Sequence, residues 1–191
     1  SALDDTLKFQ IIPYLKSVSE QFRIPYLFIS HSLVEMRLMT DQVLVVANGS
    51  IVDQTTPDQL ARARMEQSRV GYINLLRLES PRRVDGLFAY RWGDRELLIS
   101  AGNEEPEALF ELSSRDIILF KRHPEAISAR NLLPCIVVST FPAGNRIGVE
   151  VACGDQRVVA EVTEQAVKEL EIREGVDLYL AVKASAFRRL D

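Results

Sequence analysis

Two groups of residues in this chain have types and spacings that could do chemistry. The first is a single imidazole. His31 closes the run Pro25-Tyr26-Leu27-Phe28-Ile29-Ser30-His31, a short apolar stretch that predicts a buried strand with the histidine at its carboxyl end. In open α/β sheets that edge is where ligands bind. There an imidazole can donate to a phosphate, or it can simply be a polar residue that finishes a strand. The second group is rich in hydrogen-bond donors: Ser128-Ala129-Arg130-Asn131 ahead of one predicted strand, and Lys183-Ala184-Ser185 at the end of the last. Arg130 offers a fork of N–H groups, Lys183 an ammonium, and Ser128 and Ser185 hydroxyls; such donors suit an anion that only accepts hydrogen bonds. By type and position alone, Arg130 and Lys183 also read as solvated surface charges and Asn131 as a turn former.

Other chemistries are argued against. There are two cysteines, Cys135 and Cys153, no C-x-x-C pair and only two histidines, which does not make a zinc site. Cys135 lies in Leu132-Leu133-Pro134-Cys135-Ile136-Val137-Val138 and reads as a small buried hydrophobe. With 23 basic against 27 acidic side chains the net charge is −4, and aromatic residues make up 7%. A groove for nucleic acid calls for the opposite balance. Arg82-Arg83 and Lys121-Arg122 read as solvated faces, Glu104-Glu105-Pro106-Glu107 as a solvated loop, and Trp92-Gly93-Asp94 as a strand end and turn. No apolar run is long enough to span a bilayer, and no signal peptide is visible. No G-x-x-x-x-G-K-[ST] occurs, so no phosphate-cradling loop is encoded in these 191 residues.

The elements that must position these groups fall into two styles. Leu7, Ile11, Leu15, Val18 and Phe22 follow helical spacing over residues 6–22, with Pro13 expected to kink the helix or mark an irregular start. Leu33 to Met39 predicts a short helix after Ser32. Val43 to Ala47, Asn48-Gly49 and Ser50 to Val52 predict a hairpin with a two-residue turn. Thr56-Pro57-Asp58-Gln59 starts another helix with a capping box. After Arg69 the pattern becomes short strands: Tyr72 to Leu78, Leu87 to Trp92, Glu96 to Ser100, Ile117 to Lys121, Leu132 to Phe141, Arg146 to Ala152, Arg157 to Val162 and Val176 to Ala184. One helix, Glu164 to Leu170, is capped by Thr163. Many short strands with little helix predict a small barrel. No internal repeat is strong enough to claim.

Two resemblances attach to these residues. Leu3-Asp4, Ser30-His31, Glu35, Asp41 and Asn48-Gly49 resemble the stretch from the D-loop to the switch histidine, and the hairpin beyond it, of ABC-transporter ATPases, over about residues 1–63. The resemblance implies that His31 follows the γ-phosphate of ATP and that Asp4 lies at the contact between two ATPase domains. It also implies that the chain is the back part of such an ATPase, cut just past its Walker B strand, and inactive by itself. Ser128-Ala129-Arg130-Asn131 after His123-Pro124-Glu125, with Lys183-Ala184-Ser185 at the end, resembles the molybdate-binding Mop-like (TOBE-type) domains that follow the ATPase in molybdate importers, over about 124–187. The fold implied is an α/β remnant of an ABC ATPase domain (1–63), a linker (64–70) and an all-β OB-like small barrel region (71–191). The resemblance further implies molybdate or tungstate bound by Ser128, Ala129, Arg130, Asn131, Lys183, Ala184 and Ser185, in a site with no nearby carboxylate. In the intact protein it implies ATP and Mg²⁺ and molybdate uptake. It also implies a membrane permease partner, a homodimer, no nucleic acid, and a place on the cytoplasmic face of the bacterial inner membrane. Two other readings stand beside it: an importer ATPase for another solute such as sulfate or a sugar, and a non-enzymatic molybdate-binding or sensing module.

Overall fold

The helical period of residues 6–22 is realised as α1 (Asp5–Phe22), which continues through Pro13. Ser32 caps α2 (Leu33–Met39), its hydroxyl accepting from the Glu35 N–H. Val43–Ala47 (β1) and Ser50–Thr55 (β2) pair antiparallel across Asn48-Gly49. Both turn residues have positive φ, +51° and +79°, as a two-residue hairpin turn of this hand demands. The capping box opens α3 (Pro57–Ala63): the Gln59 N–H donates to Thr56 Oγ1 and the Thr56 N–H to Gln59 Oε1, each at 3.2 Å. In this computed structural model residues 5–122, 124 and 126–190 are described; Leu3, Asp4, His123 and Glu125 lie outside them. The chain divides into two units, Ser1–Ala63 with Leu190–Asp191, and Arg64–Arg189.

The first unit holds the three helices and the hairpin. The buried strand expected at Pro25–Ile29 is not there: residues 24–30 belong to no strand, and Leu27 and Ile29 are 85% and 84% exposed. A buried strand needs ladder partners beside it and a layer on each face. Among the described residues the one sheet of this unit is the hairpin, whose strands pair with each other. Tyr14, Leu15, Val18 and Phe22 on α1 are exposed as well, as are Val46, Ile51 and Val52 on the hairpin.

The second unit is almost all β. Its strands are β3 (Ile73–Val84), β4 (Leu87–Trp92), β5 (Arg95–Ile99), β6 (Glu107–Ser113), β7 (Ile118–Phe120), β8 (Asn131–Ala143), β9 (Arg146–Cys153), β10 (Gln156–Thr163), β11 (Asp177–Val182) and β12 (Arg188–Arg189), with α4 (Glu164–Glu169) between β10 and β11. They form two five-stranded antiparallel sheets, in the orders β12-β6-β3-β4-β5 and β7-β11-β8-β9-β10. The orders superpose term by term. Strands β3–β7 are thus one copy of a motif and β8–β12 a second, and each copy lends its last strand to the other's sheet. This internal repeat is not legible from residue identities. β6 was also not predicted, because Glu104 to Glu107 reads as loop; yet Ala108, Phe110 and Leu112 alternate inward along it. Both sheets contribute to one core that includes Leu78, Tyr90 and Phe110 from the first and Val149, Val151 and Leu178 from the second. Residues 64–70 pack as part of this unit: Met65 is buried, and the Arg115 guanidinium donates to Ser68 O and Arg69 O.

Candidate anion site and relatives

Asn131, the first residue of β8, sets the position of the donor-rich segment. It is buried, and its amide is committed to backbone: Nδ2 donates to Leu98 O at 2.9 Å and Val182 O at 3.3 Å, and Oδ1 accepts from Leu98 N at 2.7 Å. One side chain therefore stitches the start of β8 to β5 and to the end of β11. The residues just before β8 and just after β11 are brought together as a result. Lys183 leads into a 3-10 turn, Ala184–Ala186. Ser100 holds that turn, its N–H and hydroxyl donating to Ala184 O at 3.0 and 3.2 Å.

Between these segments lies a cavity of about 650 Å³ whose wall includes Ser128, Arg130, Lys183, Ala184 and Ser185. Val84, Leu87 and Leu98 supply apolar wall. Ala129 and Asn131 are buried and are not among the lining residues. Asn131 therefore positions the site, and its amide has no spare donor for a ligand. The expectation of a site without carboxylates is corrected: Asp85, on the β3–β4 turn, also lines the cavity. Asp85 thus puts a carboxylate in the same cavity wall as Arg130 and Lys183. The sequence reading did not include Asp85 because the turn lies far away along the chain, and β3 and β4 carry it to the cavity. With two cations, hydroxyls and exposed polypeptide at its wall, the cavity can hold an acceptor-only anion through charge-assisted hydrogen bonds.

His31 sits on the turn into α2 and is exposed. Its neighbours are occupied with building that turn. The Ser30 hydroxyl accepts from Ser32 N at 2.9 Å and donates to Glu35 Oε2, and Lys8 Nζ lies 3.5 Å from Glu35 Oε1. Ser30, Ser32 and Glu35 are thus accounted for as a helix start that presents the imidazole outward. Asp4 lies outside the described residues. Cys135 and Cys153 are free thiols buried in the core. Contact with the Cys135 thiol, then burial, pushes the Cys153 thiol well above its usual range. A thiol held neutral in this way is not a nucleophile.

Residues 127–187 match the TOBE domain, the stretch that carries both donor segments. Along nearly its whole length the chain is similar to molybdenum import ATP-binding proteins. It is 30% identical to ModC of Rhizobium meliloti (strain 1021), over 97% of this chain and 54% of that protein. It is 25% identical to ModC of Escherichia coli (strain K12), over 96% and 54%. In fold it resembles the cytoplasmic molybdate-binding protein ModG, solved with molybdate bound, with a TM-score of 0.53 at 18% identity over 61% of this chain and 94% of that one. The two-sheet unit is thus an OB-like fold. The chain carries a TOBE domain and is homologous to molybdenum import ATP-binding proteins, of which it spans about half the length.

Proposed function

We propose that this chain is the oxyanion-sensing part of the ATP-binding subunit of a molybdate importer, and that its second unit binds molybdate or tungstate in the cavity between β8 and β11. One observation carries the reading: Ser128 and Arg130 meet Lys183 and Ser185 at a single cavity wall, although the two segments are far apart in sequence. Molybdate is a tetrahedral dianion that accepts hydrogen bonds and donates none, which is the chemistry this wall offers. The names of the relatives and the fold of ModG support the same ligand. In the longer protein this chain would work at the cytoplasmic face of the membrane with a permease subunit and a second copy of itself. No helix among the described residues is long and apolar enough to cross a membrane.

The residues present do not fit ATP and Mg²⁺ by themselves. His31 is exposed, and no phosphate-cradling sequence occurs in the chain. Any role of His31 and Asp4 toward nucleotide would be played in the longer protein. For the anion site the test is calorimetry on the 191-residue chain. Molybdate and tungstate should bind, with sulfate and phosphate much weaker. Arg130→Ala and Lys183→Ala should each weaken binding by about 10- to 100-fold, the cost of one charge-assisted donor. Equal weak binding of all four ions, or molybdate binding untouched by either substitution, overturns the reading.

A further inference from the structure

The two copies of the motif are held together by mirrored asparagines. Asn74 in β3 does for the second copy what Asn131 does for the first. Its Nδ2 donates to Leu112 O at 3.2 Å and Val159 O at 2.9 Å, and its Oδ1 accepts from Val159 N at 2.7 Å. Asn74 thus corresponds to Asn131, Val159 to Leu98 and Leu112 to Val182. The correspondence carries the anion cavity onto a second place in the fold. Ser128 maps to Gly71, Arg130 to Ile73, Ser100 to Glu161, Lys183 to Ser113 and Ser185 to Arg115, so the cations of the second place stand at other positions than those of the first. At the strand start after the hairpin turn, Leu87 maps to Arg146.

The second place is not an open cavity but a closed ion cluster. The Glu161 side chain is 2% exposed, and its Oε1 lies 3.0 Å from both Arg115 Nε and Arg146 Nη1. Its Oε2 is buried without a hydrogen-bond partner among the described residues. Gly71 stands where Ser128 stands in the first site, at φ +73°, and a Cβ there would come within 2.5 Å of Ser114 Oγ and 2.8 Å of Glu161 Oε2. The space a side chain would need there is already taken, first by the Ser114 hydroxyl and then by the Glu161 carboxylate. Burying a carboxylate with one oxygen unpaired is costly unless cations compensate it, and here two arginines do. Resting on the reading of the first site given above, we infer that this second place is an oxyanion site of the same descent in geometry, filled by the protein's own Glu161 carboxylate in place of a ligand. The chain then binds one molybdate, not two, and Glu161 is the residue that sets that number.

Equilibrium dialysis of molybdate, with the melting temperature followed alongside, tests this on the 191-residue chain. The wild type should hold one molybdate per chain, and Lys183→Ala should abolish most of that binding. Adding Glu161→Ala to Lys183→Ala should lower the melting temperature. It should also create a new molybdate site, at least about tenfold tighter than any residual binding of the single variant, because the Arg146 guanidinium and the Arg115 Nε–H are released while Arg115 stays tied to Ser68 O and Arg69 O. Molybdate should restore the lost melting temperature, and a further Arg146→Ala should remove the gain. A folded double variant that binds no molybdate overturns the inference. If truncation of the side chain to Ala prevents folding, Glu161→Ser decides, since it places there the residue type that the matching position Ser100 carries: it clears the space and leaves the two arginines uncompensated, so molybdate should raise its melting temperature more than it raises the wild type's, and an equal rise overturns the inference. Two molybdates per wild-type chain, one of them lost on Arg146→Ala, overturns it also. A wild type that binds none, beside a double variant that binds one, would sink the reading of the first site and leave this one standing.

Discussion

At the scale of single residues, the paired asparagines separate two roles that otherwise look alike. Each amide satisfies three backbone groups, all buried at Asn74, and at Asn131 one buried and two half-buried. Asn74→Ala or Asn131→Ala should cost about 1–3 kcal/mol, the desolvation left uncompensated when a buried partner is lost. Only Asn131 lies next to the donor segment. Asn131→Ala should therefore weaken molybdate binding as well as lower the melting temperature, whereas Asn74→Ala should lower the melting temperature alone; calorimetry beside thermal denaturation distinguishes them. The Cys153 thiol gives a second expectation. Its neighbour Cys135 and its burial hold it protonated in the folded chain, whereas an unfolded cysteine titrates near about 8.5. The stabilising contribution is complete below that value and is lost as pH rises through and beyond it, because the unfolded state then binds fewer protons. Labelling by a thiol reagent should stay slow in the native chain at pH 8 to 9, under conditions where the denatured chain labels at once, and stability should fall on the alkaline side.

At the scale of elements, the exchange of terminal strands explains why short segments matter. β12 is only Arg188–Arg189, yet it completes the first sheet by pairing with Glu111 and Phe110 of β6. Arg188 pairs with Glu111 and Arg189 with Glu105, and Phe187 beside them is buried. The Arg189 guanidinium, hydrogen-bonded to Glu105, holds that carboxyl below the usual carboxylate range. Its support is thus present at neutral pH and is lost as pH falls through the lowered value. Ending the chain after Ala186 removes all of this and leaves β6 as a bare edge. Such a truncation should melt at a lower temperature and associate beyond the assembly state of the full chain as concentration rises, as read by light scattering; unchanged stability and unchanged assembly would mean that β12 is dispensable. In the first unit, Thr56→Ala removes a capping-box hydroxyl and should cost about 1 kcal/mol.

At the scale of the whole molecule, the two units differ in how much they bury. The second has a core built from two sheets. In the first, α1, the segment 24–30 and the hairpin leave large apolar side chains in solvent, Tyr14 at 74% among them. Local stability follows buried apolar contact. Amide hydrogen exchange should therefore be fast through α1 and β1–β2 and slow through β3–β11; equal protection in both would contradict this account. Added ATP should give no phosphate release above background from this chain alone. Sedimentation of the chain should show a dimer, as the proposed assembly requires.

Residue order by itself determined the parts that rest on local physics. Asn48-Gly49, Thr56-Pro57-Asp58-Gln59 and Thr163 announce their turn and caps because those side chains act within one turn of backbone. The strands of the second unit announce themselves by alternation, β6 and β12 excepted: at β6 an acidic lead-in masked the inward Ala108, Phe110 and Leu112, and β12 is two arginines long. Ser128, Arg130, Lys183 and Ser185 were legible as donors through their types and a family resemblance. Only the tertiary structure decided that they share a cavity, that Asp85 joins them, and that Asn131 serves the backbone rather than the ligand. It also decided against a buried strand at Pro25–Ile29: an apolar run is a strand only where a sheet receives it. The repeat of β3–β7 in β8–β12 was hidden for a related reason. Sheet order and backbone hydrogen bonds carry that symmetry, and the side chains at matching places have diverged until one copy holds an open cavity and the other a buried carboxylate.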